Sequence, residues 1–101
     1  MIASNVIIRT ADGHPIYDLK TKERANLSRS IKIEEHVWLC DGVMVLKGVN
    51  IGEGAIVATR SVITRDVPSH TICAGIPAEV VKKEVFWERN IHTKTPKYYE
   101  P

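Results

Sequence analysis

From Ile33 onward the chain repeats itself every six residues, reading IEEHVW, LCDGVM, VLKGVN, IGEGAI, VATRSV and ITRDVP. Internal repetition at a fixed period restricts a fold more than composition does. The first place of each hexad is aliphatic: Ile33, Leu39, Val45, Ile51, Val57 and Ile63. The fifth is small or β-branched: Val37, Val43, Val49, Ala55, Ser61 and Val67. Ile, Leu and Val make up 27 of the 101 residues. Six aliphatic first places in a row then arise by chance roughly four times in ten thousand. Strand alternation points the fifth place inward, the sixth outward and the next first place inward. The second to fourth places form a tight corner, where Gly42, Gly48, Gly52 and Gly54 cluster. Short strands joined by corners at fixed spacing build a solenoid whose layers pair through backbone hydrogen bonds, so the chain reads as mainly β.

The remaining segments arrange themselves around that run as one domain over 1–101. Residues 2–8 read as a first short repeat, out of phase with the main one. Residues 9–32 are polar and break the pattern, as an excursion loop does; long loops in compact repeat proteins commonly carry function. The repeat region extends over 33–75, with a last strand at Thr71–Ala74 after Pro68. Pro77 suits the first turn of a C-terminal helix over 76–88, with Val80, Val81, Val85 and Phe86 packing inward. Residues 93–101 form a polar tail. Net charge is +2 and the basic residues are dispersed, which argues against a nucleic-acid partner. Cys40 and Cys73 lie in apolar runs without metal-ligand spacing and read as reduced core residues of a cytoplasmic protein that holds no metal. No apolar run approaches about 18 residues, so neither a membrane span nor a signal peptide is expected.

The hexads resemble those of the hexapeptide-repeat proteins. The ordered set Thr10-Ala11-Asp12-Gly13-His14, Arg24-x-Asn26, His36-Val37-Trp38, Leu46-Lys47-Gly48-Val49 and Gly75-Ile76-Pro77-Ala78 narrows the resemblance. It is similar to the sugar O-acetyltransferases of that family, close to those acting on sialic acids and other capsule or lipopolysaccharide sugars. The resemblance implies a left-handed parallel β-helix with three hexads per turn. Positions eighteen apart then stack, Trp38 over Ile56, Met44 over Val62 and Asn50 over Pro68. Two apolar outer faces imply burial against something else, either other subunits or a ligand; the family resemblance implies a homotrimer in which the two coincide.

The same resemblance implies acetyl-coenzyme A as co-substrate, a sugar hydroxyl as acceptor and an active site between subunits. His14, in the Asp-Gly-His element, falls on the general base; imidazole suits this because it titrates near working pH. Asp12 either orients that imidazole or shapes an Asx-type turn. Trp38 falls on the tryptophan whose N–H assists the oxyanion, or else serves only as an interface aromatic. Coenzyme A is expected along Ala58, Thr59 and Ser61 and near Ala74, Gly75 and Pro77, with Arg65 and Lys82 or Lys83 toward its phosphates. His36, His70 and His92 read as surface turn residues.

Two other functions share this fold. One is a catalytically silent trimeric scaffold. The other is a zinc protein of the γ-carbonic anhydrase type, which needs a close histidine pair that His14, His36, His70 and His92 do not form. Relatives carry further repeats before the Asp-Gly-His loop. The chain is then either naturally short or a fragment of a longer reading frame, with an incomplete acceptor pocket and a first strand covered by another copy, either in an end-to-end dimer of trimers or by exchange.

Overall fold

Five successive corners of the repeat place their fourth residue at positive φ: His36 (55°), Gly42 (70°), Gly48 (76°), Gly54 (72°) and Arg60 (61°). Glycine holds this left-handed conformation without a steric penalty, which explains its recurrence at the corners. Between corners the sixth place of one hexad and the first place of the next form a two-residue strand. These are β2 (Lys32–Ile33), β3 (Trp38–Leu39), β4 (Met44–Val45), β5 (Asn50–Ile51), β6 (Ile56–Val57) and β7 (Val62–Ile63). They are preceded by β1 (Ile7–Ile8) and followed by β8 (Ile72–Gly75) and β9 (Ala78–Lys82). A short 3-10 turn, Pro96–Tyr98, lies near the end of the chain. This computed structural model describes residues 1–99.

Every third strand pairs in parallel, which produces a three-faced β-helix. The Trp38 face is ordered β3-β6-β8-β9, the Met44 face β1-β4-β7 and the Asn50 face β2-β5. Trp38 pairs with Ile56, Met44 with Val62 and Lys32 with Asn50, each eighteen residues on. β1 joins the Met44 face with Ile7 opposite Met44, so the intervening excursion loop is absorbed outside the wall. The inward places fill the interior: Leu39, Val43, Val45, Val49, Ile51, Ala55, Val57 and Ile63 are all fully or almost fully buried. Each Val, Leu or Ile among them contributes about 1.5–3 kcal/mol through burial.

Two expectations are corrected by the register. Between Ile63 and Val67 the period contracts by two residues: Val67 bridges to Ile51 and Ile72 pairs with Ile56, so Pro68 does not stack on Asn50 as the eighteen-residue spacing implies. In this layer the Asp66 carboxylate accepts the Asn50 N–H at 2.8 Å, where the other layers use a carbonyl of the next turn. The last strand runs over Ile72–Gly75, against the expected Thr71–Ala74. The second correction is the C-terminal helix over 76–88, which does not form. Gly75, at φ 111°, and Pro77 turn the chain back, and Ala78–Lys82 runs antiparallel along β8. The open edge of β8 offers backbone partners, and β-branched Val80 and Val81 favour an extended chain over a helix. Val80 and Val81 are exposed; the buried anchor of this region is Trp87, at 5% exposure.

Among the described residues no helix is long and apolar enough to cross a membrane. The layer spacing leaves no tolerance at Gly52, where an added Cβ would lie 2.5 Å from the Ser69 nitrogen and 2.8 Å from its Cα. Gly52→Ala is expected to cost about 1–3 kcal/mol, the usual range for overpacking, measured as a lower denaturant midpoint at unchanged slope.

Candidate active site

The excursion loop is a folded unit. Its tip is a hairpin in which Tyr17 bridges Arg24 and the Asp18 carboxylate accepts the N–H groups of Lys20 and Thr21, both at 2.8 Å. Those backbone donors, Thr21 first, hold the Asp18 carboxyl below its ordinary pKa. The base of the loop closes where Arg29 N–H donates to the Thr10 carbonyl at 2.9 Å.

His14 stands between these two ties. Asn26, buried among otherwise exposed neighbours, clamps its backbone: Nδ2 donates to the His14 carbonyl at 2.8 Å, and Oδ1 accepts the Ile16 N–H at 2.5 Å. Arg24 Nε reaches the same Oδ1 at 3.4 Å. The His14 ring itself is exposed. Asp12 pairs with Lys47 at 2.6 Å, so its carboxylate ties the loop to the wall. The Lys47 hydrogen bond, followed by one from Asn26, holds the Asp12 carboxyl below its ordinary value. Arg29 lies across Gly48, where an added Cβ would meet its Cδ at 3.2 Å. Thus Asp-Gly-His, Arg-x-Asn and Leu-Lys-Gly-Val, separate in sequence, meet at the corner between the Met44 and Asn50 faces.

The other sequence-predicted residues sit elsewhere on the prism. Trp38 projects from the face opposite that corner and is half-buried. Ala58, Thr59 and Ser61 form the corner between the Trp38 and Met44 faces, and Gly75 and Pro77 close the β8–β9 turn beside it. Gly75 N–H donates to Ser61 Oγ at 3.1 Å, which joins the two groups. The Ser61 hydroxyl faces the interior, at 1% exposure, and acts within the wall. Arg65 lies one layer beyond Lys47 at the His14-bearing corner, exposed. Lys82 lies at the far end of β9, opposite Ile72. One chain therefore gathers Ala58, Thr59, Ser61, Gly75 and Pro77, and it holds His14 and Trp38 apart.

Three contributors were not legible in advance. Asn26 and Lys47 stood in recognised motifs without a role, and their partners lie twelve and thirty-five residues away. By its sequence His36 is a surface turn residue. It does turn the chain, but its ring is stacked between Trp87, centroids 3.7 Å apart, and Tyr98, 3.6 Å. Among the described residues no three His, Cys, Asp or Glu side chains converge as metal ligands. Cys73 is buried and Cys40 half-buried, and burial raises both thiol pKa values.

Asp12 gives the loop tether a direction of pH dependence. A depressed folded pKa means that the tether is fully present above the ordinary carboxylate value, about 3.9, and is lost as pH falls through the lower folded value. NMR titration of the Asp12 carboxyl is expected to show a midpoint below the ordinary one, and Lys47→Met to return it upward. An unmoved midpoint in Lys47→Met would show that the ion pair does not hold the loop.

Comparison with known proteins agrees with this architecture. The family described as bacterial transferase hexapeptide (six repeats) matches residues 30–65. The polysialic acid O-acetyltransferase of Escherichia coli O1:K1 / APEC is 43% identical over 89 residues, which is 88% of this chain and 29% of the relative. The galactoside O-acetyltransferase of Lactococcus lactis subsp. lactis is 39% identical over 83 residues, 82% of this chain and 40% of the relative. The chain thus spans well under half the length of these relatives. Among solved structures, the polySia-specific acetyltransferase NeuO superposes with a TM-score of 0.86 at 38% identity, over 91% of this chain and 43% of that one. A galactoside acetyltransferase in complex with coenzyme A gives 0.63 at 28% identity, over 81% of this chain and 44% of that one. With its repeat, its three-faced parallel wall and these relatives, the chain belongs to the hexapeptide-repeat transferase family.

Proposed function

We propose that this chain forms the base-bearing and coenzyme A-binding part of an acetyl-coenzyme A-dependent sugar O-acetyltransferase, wound as a left-handed β-helix. The observation that carries the reading is the corner where three motifs converge to hold the His14 backbone while leaving its ring exposed. A fixed, accessible imidazole suits a general base, which must reach a hydroxyl it does not itself position.

In this reading His14 accepts the proton of a sugar hydroxyl as its oxygen attacks the thioester carbonyl. Trp38 Nε1–H donates to the oxygen that becomes negative in the tetrahedral intermediate. The imidazolium of His14 then returns its proton to the departing thiolate. Ala58, Thr59, Gly75 and Pro77 supply a narrow corner for the pantetheine arm, with Ser61 fixing Gly75 from within. Arg65 and Lys82 are the basic groups for the phosphates. The excursion loop carries Arg9, Lys20, Lys22, Arg24, Arg29 and Lys32 against Asp12, Asp18 and Glu23. That positive balance beside His14 favours an acidic sugar acceptor.

His14 and Trp38 occupy opposite sides of one prism, so the reaction requires a second copy. A homotrimer supplies it: the Trp38 face and cofactor corner of one copy stand beside the His14-bearing corner of the next, in a closed ring. The apolar stacks Trp38/Ile56 and Met44/Val62, half-buried in one chain, gain cover in the same step. A cytoplasmic location suits the co-substrate.

His14→Ala is expected to lower acetyl transfer by at least about 10²-fold while coenzyme A affinity, read by calorimetry, is retained. Unchanged turnover would remove His14 from the reaction, and absence of coenzyme A binding in the parent chain would leave the silent scaffold. Trp38→Phe keeps a ring but deletes the donor; turnover is expected to fall on the order of 10²-fold at nearly constant melting temperature. Light scattering is expected to give three times the chain mass, and a folded monomer at micromolar concentration would exclude a shared site.

A further inference from the structure

Beyond β9 the chain runs back across the corner that separates the Asn50 and Trp38 faces, and its contacts there are specific. Val85 N–H donates to the His70 carbonyl at 3.0 Å. Trp87 Nε1–H donates to the His36 carbonyl at 2.9 Å, and His36 Nε2 meets the Trp87 carbonyl at 2.7 Å. A carbonyl only accepts, so Nε2 of His36 carries a proton. Trp87 and Tyr98 lie parallel to the His36 ring at 3.7 and 3.6 Å, with interplanar angles of 6° and 12°. Two parallel rings at that separation occupy opposite faces of the imidazole. Glu88 completes the closure by accepting both the N–H and the hydroxyl of Thr95, which returns Tyr98 to the stack.

The inner ring of this stack also touches the candidate site. Trp38 and Trp87 have centroids 5.6 Å apart at an interplanar angle of 44°. His36 and Trp38 flank buried Val37, so both project outward from the same short stretch of wall. The strand fixes the Cα–Cβ direction of Trp38, but the indole retains two torsions on an outer face. We propose that Trp87 is a positioning residue for Trp38: held on His36 by reciprocal hydrogen bonds and stacking, it fixes the indole at the site. The proposal rests on the acetyltransferase reading only for its catalytic consequence. A displacement of about 1 Å in a reacting constellation costs on the order of 10²-fold in rate, which is what loss of the abutment would produce.

The chain contains two tryptophans, so variants at Trp87 leave Trp38 as the sole indole. In the intact assembly, fluorescence anisotropy decay reads the motion of Trp38 and steady-state kinetics reads its use. Trp87→Phe keeps a ring against both neighbours and is expected to retain a restricted indole and kcat within about threefold. Trp87→Leu is expected to free the indole on the nanosecond scale and lower kcat 10- to 100-fold, with KM for acetyl-coenzyme A within about twofold. Should Trp87→Leu not fold, Tyr98→Ala in the Trp87→Phe background removes the outer ring alone and is expected to move both readouts in the same direction, by less. A Trp38 as restricted in these variants as in Trp87→Phe overturns the proposal, and so does a freed indole with unchanged kcat. A parent protein that transfers no acetyl group overturns the acetyltransferase reading instead; the anisotropy decay then still decides whether Trp87 fixes Trp38.

Discussion

The structure depends on backbone hydrogen bonds passed from one turn of the prism to the next. Trp38 N–H donates to the Ala55 carbonyl, Met44 N–H to that of Ser61 and Lys32 N–H to that of Val49, at 2.9–3.0 Å. A two-residue strand has no stability of its own; it exists because its neighbours above and below satisfy it and because its inward side chain meets others of the same row. This makes the register strict. A single displaced residue would turn an entire row of valines and isoleucines to water. A corner can still lengthen, since the inward rows are built from the places on either side of it. The excursion loop exploits that freedom: it leaves the wall after β1 and rejoins at β2 without disturbing the pairing on either side.

The wall was legible in the sequence because its determinants are local and periodic. First and fifth places, corner glycines and outward stacks follow from alternation alone. Legibility ended where the period breaks. Where the turn shortens, the Asp66 carboxylate takes the Asn50 N–H, a contact made by one side chain rather than by a pattern. The segment 77–82, with Pro77, Val80 and Val81, suits more than one structure, and the vacant edge of β8 decided among them. Trp87 was invisible for a related reason, since its partners lie fifty-one residues away.

The site divides along the same line. Motifs identified the residues of the His14 loop by order and type, but not the division of labour among them. In the fold Asp12 is committed to Lys47, and the clamp on the His14 segment belongs to Asn26. The candidate base is thus held through its backbone, by neutral amide chemistry, and its imidazole remains available to a substrate. That separation of holding from reacting is how a loop outside the core attains a defined geometry.

The reversed direction of β9 sets a limit on growth. A parallel solenoid exposes at its last layer a strand edge that any similar strand can extend, including one from another copy. Here β8 is matched instead by a strand running the opposite way, whose side chains include Glu79 and Lys82 and which is followed by Lys83 and Glu84. A parallel layer arriving at the Trp38 face finds mismatched hydrogen-bond spacing and a charged rim in place of a template. The turn at Gly75–Pro77 therefore works as a stop codon written in backbone geometry: on the Trp38 face it ends the reading of the parallel repeat.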